Sequence, residues 1–447
     1  MTLNKTRLAL LCIAALPPLS ARAESLTLDQ CVASALKNNP DIATADFEIE
    51  AATAVKKKTV GSYGPKVKLE AGVQIWDRTM PFDLGPLNAM LSTSGVALPN
   101  FRDQVTWSFG ATIAQPLGAL WTIHEGYALT KLGVDVARIE REVSQRNVVF
   151  QVTEAYYRVL QAKRMAEVAQ KSVEQVDAQV HKARTFFERG AVARNDVLRA
   201  ELGLAAAQQR LIQAKGNLFL ATSRLATLMG GPAGLELDPV DQGQAVVTMA
   251  PPSTTEAEDR AIHERAELRE VSVRTEQALT GVRMAKSKML PQINLVGNYT
   301  HTTGQLFALK NAAFIGATAS WDIWEGGGTY YGIDEAKARV SQALSARRKA
   351  EDMIRLDVRN AHIGVTTAAE AMEVAKHAVE QAEENFRIEQ RRYESTSNTS
   401  FDVLDAETQL TTARGQYQAA IYDYVIAQSN LARAMGEKHL AVLKAAQ

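Results

Sequence analysis

The chain has 447 residues, enough for two or three ordinary domains, and its 50 basic side chains balance its 50 acidic ones. Balanced charge argues against a nucleic-acid-binding polycation. Beyond the first two dozen residues no run of about 18 apolar residues occurs, so the sequence does not support a transmembrane helix.

The chain begins with the pattern of a secretory signal. Lys5 and Arg7 precede an apolar run, and Ala21-Arg22-Ala23 fits an A-x-A cleavage site. We therefore assign residues 1–23 to a signal peptide. Cleavage would remove Cys12 and leave Cys31 alone, so we expect no disulfide within the mature chain.

A helix followed by two strands opens the mature chain. Residues 26 to 63 have helical spacing, and Asn38-Asn39-Pro40 should break or kink that helix. The apolar period then changes to two, which predicts two strands, each with one apolar face. Their apolar positions are Val67, Leu69, Ala71, Val73 and Ile75, then Val105, Trp107, Phe109, Ala111 and Ile113.

A helical hairpin follows the two strands. Mostly apolar residues recur every seven positions from Val152 to Phe187, and again from Val197 to Leu225. A strict seven-residue repeat keeps one seam on one face and supercoils the helices. It therefore predicts a long coiled-coil hairpin rather than two amphipathic helices in a globular core.

The second half of the chain repeats the first. A helix from about 256 to 289 precedes two further strands, and a hairpin over 358–434 lies 206 positions after its first copy. We therefore predict structural repeats over 24–230 and 256–436. Residues 231–255 contain four prolines and predict a linker or equatorial segment, and 437–447 form a tail. The apolar strand positions are Ile293, Leu295 and Tyr299, then Ile315, Ala317, Ala319, Trp321 and Ile323.

The strand and helix lengths suggest an assembly at a membrane. Strands of about 10 residues cross a bilayer when tilted, yet four strands cannot close a barrel, and an open edge cannot stand in lipid. The charged helices over 328–394 would extend about 100 Å, far beyond a hydrocarbon core of about 30 Å. The predicted fold class is mainly α with membrane β: internally duplicated long coiled-coil helical hairpins plus four β-strands per chain, in an oligomeric barrel continued by a helical tube.

These features together resemble the TolC family of outer-membrane efflux proteins. The signal peptide, the duplicated order of elements and the sequence DVL-x-A-E after each turn carry the resemblance over nearly the whole mature chain. It implies a homotrimer with a 12-stranded barrel, four strands per chain, in a Gram-negative outer membrane, and a periplasmic α-helical barrel. It also implies a passive exit duct for efflux or secretion, in contact with outer-membrane lipid, that works with an inner-membrane pump and a periplasmic adaptor protein. No enzymatic activity, cofactor, metal or nucleic acid is expected.

The resemblance further places a gate at the hairpin turns. Asp402 and Asp405 match the family's aspartates at the pore constriction. Repeated threefold, they would form an acidic ring that concentrates cations. The alternative is that Asp402 simply caps the helix that starts near Val403.

A second pair of residues is implied to hold the turns closed. Tyr393 and Asp196 match this pair, and a tyrosine hydroxyl can donate to a carboxylate. Tyr393 also continues the seven-residue seam, so ordinary packing is the alternative. The family's lock uses an arginine a few residues later, where this chain has Asn398. Arg391 or Arg392 could substitute for it.

Two other functions compete with the exit duct. A periplasmic coiled-coil adaptor protein without its own pore would carry one hairpin, so the duplication disfavours it. A secreted enzyme would need a nucleophile–base or metal-ligand pattern, and the seven histidines show no paired spacing. The five tryptophans lie on or next to strands, which fits either an interfacial aromatic girdle or ordinary sheet packing.

Overall fold

A computed structural model of the chain describes residues 25–82, 85–95, 100–235, 237–241, 251–306, 309–395 and 397–437. The predicted signal peptide lies outside these residues. The described helices are α1 (Leu28–Asn38), α2 (Pro40–Gly61), α3 (Pro86–Thr93), α4 (Leu120–Glu188), α5 (Arg194–Leu228), α6 (Thr254–Glu264), α7 (Ala266–Ser287), α8 (Gly328–Glu394) and α9 (Ser400–Ala434). The described strands are β1 (Ser25–Leu26), β2 (Lys66–Ile75), β3 (Met80–Pro81), β4 (Asn100–Pro116), β5 (Asp238–Pro239), β6 (Gln292–Gln305) and β7 (Asn311–Ser320).

The helices that precede the strands are broken at equivalent positions of the two repeats. The predicted break at Asn38-Asn39-Pro40 separates α1 from α2. The single helix predicted over 256–289 is wrong, because Arg265 has extended backbone (φ −69°, ψ 125°) and divides α6 from α7. Arg265 lies 226 positions after Asn39, which is also the spacing of Pro65 and Pro291 before the strands. The helix break is therefore duplicated, although no proline marks it in the sequence of the second repeat.

Thr44–Val143 and Arg265–Met353 form one compact unit, which contains an antiparallel sheet. Its strand order is β2-β4-β6-β7, and β3 pairs with β4 beside this path. Predicted apolar positions pair directly, since Leu69 opposes Ala111 and Ala111 opposes Tyr299. These registers place the predicted apolar positions of neighbouring strands on the same face of the sheet. Strand β7 ends at Ser320, however, so the predicted strand residues Trp321 and Ile323 lie beyond it.

The outer edges of this sheet are β2 and β7. Within the described residues, neither edge pairs with a further strand. The apolar face is strongly exposed in the single chain; Ile315, for example, is 86% exposed. Large apolar residues that share this exposure are Val67, Leu69, Val73, Ile75, Trp107, Phe109, Ile113, Ile293, Leu295 and Tyr299.

The described parts of Met1–Ala43, Ser144–Glu264 and Ile354–Gln447 form the other compact unit, which contains both hairpin turns. Each compact unit draws on both sequence repeats, so the repeat boundaries remain a prediction. Predicted seam residues such as Val152, Val358 and Leu410 are buried, whereas the predicted seam residue Phe187 is exposed. Its neighbour Phe186 packs on Tyr393 instead, with ring centroids 5.5 Å apart. Within the described part of the chain, no helix is both long and apolar enough to cross a membrane.

An apolar cluster, here called the Tyr156 core, lies far from the hairpin turns in sequence. The Tyr156 hydroxyl lies 2.6 Å from Val240 O and 3.2 Å from Leu26 O, so both carbonyls have a donor beside them. Leu26 belongs to β1 and Val240 follows β5; the two strands pair in parallel, and β5 lies in the predicted linker region. The buried members of the core are Leu28, Cys31, Ala35, Ile42, Val148, Val152, Ala155, Tyr156, Tyr157, Val159, Leu160, Leu225, Tyr422, Val425 and Ile426.

Candidate functional site at the helical turns

Two turns close the hairpins. The first lies between α4 and α5, where Gly190 adopts φ 72° and its successor Ala191 donates its N–H to Phe186 O at 2.8 Å. This six-to-one bond is the usual way of satisfying a helix C-terminus. At the second turn Ser397 N likewise reaches Arg392 O at 2.8 Å. All five predicted site residues lie at or beside these turns.

Asp402 holds the first turn of α9 together. The helix begins at Ser400, so the predicted start near Val403 is wrong and the N-cap is Thr399. The Thr399 N–H and hydroxyl donate to Asp402 Oδ2 at 2.9 and 2.8 Å. These bonds, the backbone one first, lower the pKa of the Asp402 carboxyl. Asp402 is therefore the third-position partner of a capping box and carries its charge at neutral pH.

Asp405 lies one turn further along the same helix. Its side chain is exposed and accepts a bond from Gln409 Nε2 at 2.7 Å. Residues three positions apart are neighbours on a helix surface. The two carboxylates are therefore adjacent at the start of α9, where the positive end of the helix dipole favours negative charge.

Asp196 is buried, and its partner is a residue that the sequence did not single out. Ser400 Oγ donates to Asp196 Oδ1 at 2.8 Å, and Ser400 N lies 3.4 Å from Oδ2. The carboxylate of α5 thereby binds the first residue of α9. A serine in a polar turn carries no sequence signal for complete burial, so only the structure could identify Ser400.

Tyr393 lies near Asp196 but is not bonded to it. Its side chain is 1% exposed, and within the described structure its hydroxyl has no hydrogen-bond partner. Burial, with a smaller effect of the Asp196 charge, raises the pKa of Tyr393 to about 12. The structure thus brings the predicted pair together without the expected hydroxyl–carboxylate bond, and Tyr393 also packs in the seam.

Asn398 folds the second turn back on α8. Its Nδ2 donates to Glu389 Oε2 at 2.6 Å and to Glu389 O at 3.1 Å. Arg392 binds the other oxygen of Glu389 at 3.0 Å, so it does not replace the family's arginine at Asp196. A separate ion pair that the sequence did not reveal, Lys182 with Glu394 at 2.8 Å, joins α4 to α8.

Comparison with known proteins now identifies the family. A family profile described as "Outer membrane efflux protein" matches residues 31–231 and 258–437. The chain belongs to the outer membrane efflux protein family. The two matched segments leave out the signal peptide and most of the proline-rich region between the repeats.

Individual relatives of this outer membrane efflux protein are distant. Outer membrane protein TolC of Vibrio cholerae serotype O1 is 23% identical over 97% of this chain and 95% of its own length. Nodulation protein T of Rhizobium leguminosarum bv. trifolii is 24% identical over 58% of this chain, and the match spans 56% of that relative. The solved Campylobacter jejuni CmeC outer membrane channel has a TM-score of 0.72 at 18% identity, covering 94% of this chain and 88% of its own.

Family membership fixes the place and the general role of the protein. It is a protein of the Gram-negative outer membrane and an exit duct for efflux or secretion. Family members are the outer-membrane components of tripartite systems with adaptor and pump partners. They are channel proteins, so the exit duct is favoured over a periplasmic adaptor without its own pore.

Proposed function

We propose that three copies of this chain share one 12-stranded barrel in the outer membrane, continued by a periplasmic α-helical barrel. The duct conducts passively. An inner-membrane pump and a periplasmic adaptor protein deliver the substrate, and the helical turns form the gate. The lipid of the outer membrane surrounds the barrel.

The unpaired edges of the sheet carry this proposal. Strands β2 and β7 leave rows of backbone N–H and C=O groups without a strand partner among the described residues. In lipid, such groups cost several kcal/mol each unless another strand satisfies them. Four strands cannot close by themselves, whereas β7 of one copy can pair with β2 of the next. The exposed apolar face then meets lipid.

Aromatic residues near the sheet support the membrane placement. Trp121, Trp321 and Trp324 are exposed next to the strands, at the end from which the long helices begin. Trp321 also anchors its indole through a bond from Nε1 to Met289 O at 3.0 Å. Exposed tryptophans at a strand end fit an interfacial girdle better than sheet packing.

The internal duplication supplies a template for the contact between copies. Within one chain, Met165 of α4 packs directly on Gly415 of α9. The repeat offset of 206 maps these residues to Ala371 of α8 and Gln209 of α5, which are both exposed in a single chain. Exposed apolar residues accompany them on the same helices, such as Leu202 and Ile212 on α5 and Val374 on α8. We therefore place α8 of one copy against α5 of the next.

Disulfide trapping tests this assembly. Ala371→Cys combined with Gln209→Cys should yield a covalent trimer on mild oxidation in outer membranes, since the only mature cysteine, Cys31, is buried. The matched control combines Ala371→Cys with Leu202→Cys, one heptad or about 10 Å away along α5, and should cross-link poorly. A stable monomer outside lipid, or equal cross-linking in both variants, would refute the assembly.

The geometry at the turns supports a gate. Asp402 is held in place by Thr399, and Asp405 is exposed beside it, so three copies would present six carboxylates around one opening. Such a ring attracts cations and repels anions. The capping role of Asp402 and the gate are compatible, because the cap uses one oxygen of that carboxylate.

Planar-bilayer recording tests the gate. Asp402→Ala with Asp405→Ala should weaken cation selectivity and block by multivalent cations. Asp402→Asn with Asp405→Asn removes the charge with little change of shape and should do the same. Glu174→Ala with Asp177→Ala, an equal charge change on α4, is the control and should leave selectivity unchanged. Unaltered selectivity in both aspartate variants would discard the gate assignment.

A further inference from the structure

A buried carboxylate lies in the seam between α4 and α9. Glu407 is 2% exposed, two helical turns into α9. Its Oε1 accepts bonds from Ser172 Oγ at 2.6 Å and from Thr411 Oγ1 at 2.7 Å. Its Oε2 is fully covered and, among the described residues, has no hydrogen-bond partner. We call these three residues the Glu407 cluster.

The repeat offers a direct comparison. Glu201 occupies the position equivalent to Glu407 in the first DVL-x-A-E sequence. Its side chain is 39% exposed and forms an ion pair with Arg184 at 2.6 Å. Glu407 has no cation within 4 Å among the described residues, so the same residue type is compensated in one repeat and left uncompensated in the other. A buried, half-bonded carboxylate disfavours the packing that covers it.

Other unsatisfied atoms accumulate near the turns. The described residues hold six covered side-chain polar atoms without a hydrogen bond, and four of them belong to Gln179, Tyr393, Asn398 and Glu407. The chain itself covers these atoms. A neighbouring copy cannot supply partners unless the helices first move apart. The unsatisfied atoms therefore destabilise the closed packing at the turns specifically.

Separation of α9 from α4 would give the unpartnered Oε2 of Glu407 access to hydrogen-bond donors. Lys171 precedes Ser172 and lines a groove with Thr411 and Arg414. Arg414 forms an ion pair with Glu383 at 2.8 Å, whereas Lys171 has no ion pair among the described residues. Water and the Lys171 ammonium would therefore reach Oε2 as the helices part, and the separated arrangement regains the lost solvation.

We propose that the Glu407 cluster is a release seam: it keeps the pairing of α9 with α4 weak enough for the turns to separate. This rests on the proposed gate at the turns. A fully apolar seam at this level would pack more stably and open less often, because replacing a buried polar group and its partners together is commonly stabilising.

Two variants of opposite expected sign test the release seam. Thr411→Val removes one donor from the carboxylate with little change of shape, and should speed amide exchange in residues 400–411 about threefold. Ser172→Ala/Glu407→Met/Thr411→Val removes the whole cluster, and should slow the same exchange about tenfold and lower single-channel conductance. Both measurements use the full-length protein reconstituted in lipid. Glu201→Met, the equivalent change in the first repeat, should not slow exchange in residues 400–411.

The outcomes separate the release seam from the gate. Slower exchange together with lower conductance supports both. Slower exchange with unchanged conductance supports the seam and overturns its role at a gate. Exchange that is unchanged or faster in the triple variant, or slower in Thr411→Val, overturns the release seam whatever the conductance. Thr411→Val preserves shape, so the test does not depend on the triple variant folding.

Discussion

The Tyr156 core and the hairpin turns belong to the same compact unit but are stabilised in different ways. In the Tyr156 core the hydroxyl has two carbonyls beside it, and the surrounding seam is apolar. At the turns, Asn398 and Glu407 each have one covered polar atom without a partner, and the buried Tyr393 hydroxyl makes no hydrogen bond to the described residues. Packing density stabilises the first end, and local polar contacts hold the second. A single coiled-coil pattern can therefore supply an anchor at one end and a separable contact at the other.

Removing an apolar anchor should have the largest effect. Leu225 is fully buried in the Tyr156 core, so Leu225→Ala should lower the free energy of unfolding by about 2–5 kcal/mol through the cavity it leaves. Denaturant unfolding of the purified protein checks this. Thr227→Ala, at an exposed position of the same helix where the hydroxyl bonds to Ser223 O of that helix, should change stability by less than about 0.5 kcal/mol. Equal effects at the two positions would break the comparison.

Removing the Ser400 hydroxyl should weaken the turns next. Ser400→Ala leaves the buried Asp196 carboxylate without its 2.8 Å partner, at a cost of about 1.5–3 kcal/mol to the closed turns. Faster amide exchange in the first turns of α5 and α9 and more frequent channel opening should follow. Thr408→Ala is the control, because that hydroxyl bonds only to Leu404 O of its own helix.

Two tyrosines sharpen the contrast directly. Tyr156→Phe leaves Val240 O without its 2.6 Å donor, and should lower stability by about 1–2 kcal/mol. Tyr393→Phe removes a buried hydroxyl that makes no hydrogen bond to any described residue, and should leave stability unchanged or raise it slightly. Thermal unfolding of both variants distinguishes these outcomes. A larger loss for Tyr393→Phe than for Tyr156→Phe would contradict the contrast between the two hydroxyls.

The smallest effect concerns pH. The Thr399 bonds hold the pKa of Asp402 below its ordinary value of 3.8, so their stabilisation is complete above that value and is lost as the pH falls through the lower folded pKa. Amide protection in the first turn of α9, corrected for intrinsic exchange, should therefore decline only below pH 3.8. In Thr399→Val the folded pKa of Asp402 should lie closer to 3.8, so the loss of protection should be smaller and should end at a higher pH. Identical profiles would show that Thr399 does not set this pKa.

Short-range patterns explain which structural predictions the sequence could support. The seven-residue repeat predicted the hairpin helices, and period-two alternation placed Leu69 and Ala111 on one sheet face. The break at Arg265 could not be predicted locally, because arginine is common on helix surfaces and no proline follows it. Its repeat equivalent Asn39 precedes a proline, which made the first break predictable. Phe186 rather than Phe187 packs on Tyr393, a contact at the end of α4 that the seven-residue repeat does not record.

The candidate site stays a prediction that came from the family resemblance. The resemblance pointed to Asp402 and Asp405, and the structure places these two residues side by side at the start of α9. The partners of Asp196 and Glu407 could not be found this way. Ser400 and Ser172 lie more than 200 positions from the carboxylates they bind.

The sequence by itself determined the periodic features: long helices, amphipathic strands and their duplication. Each depends on residues within a few positions of one another, and a local pattern records such relations. Only the tertiary structure decided which polar groups are covered and what they contact. Burial depends on helices that approach from distant parts of the chain, so Glu201 and Glu407 share a sequence and differ in environment.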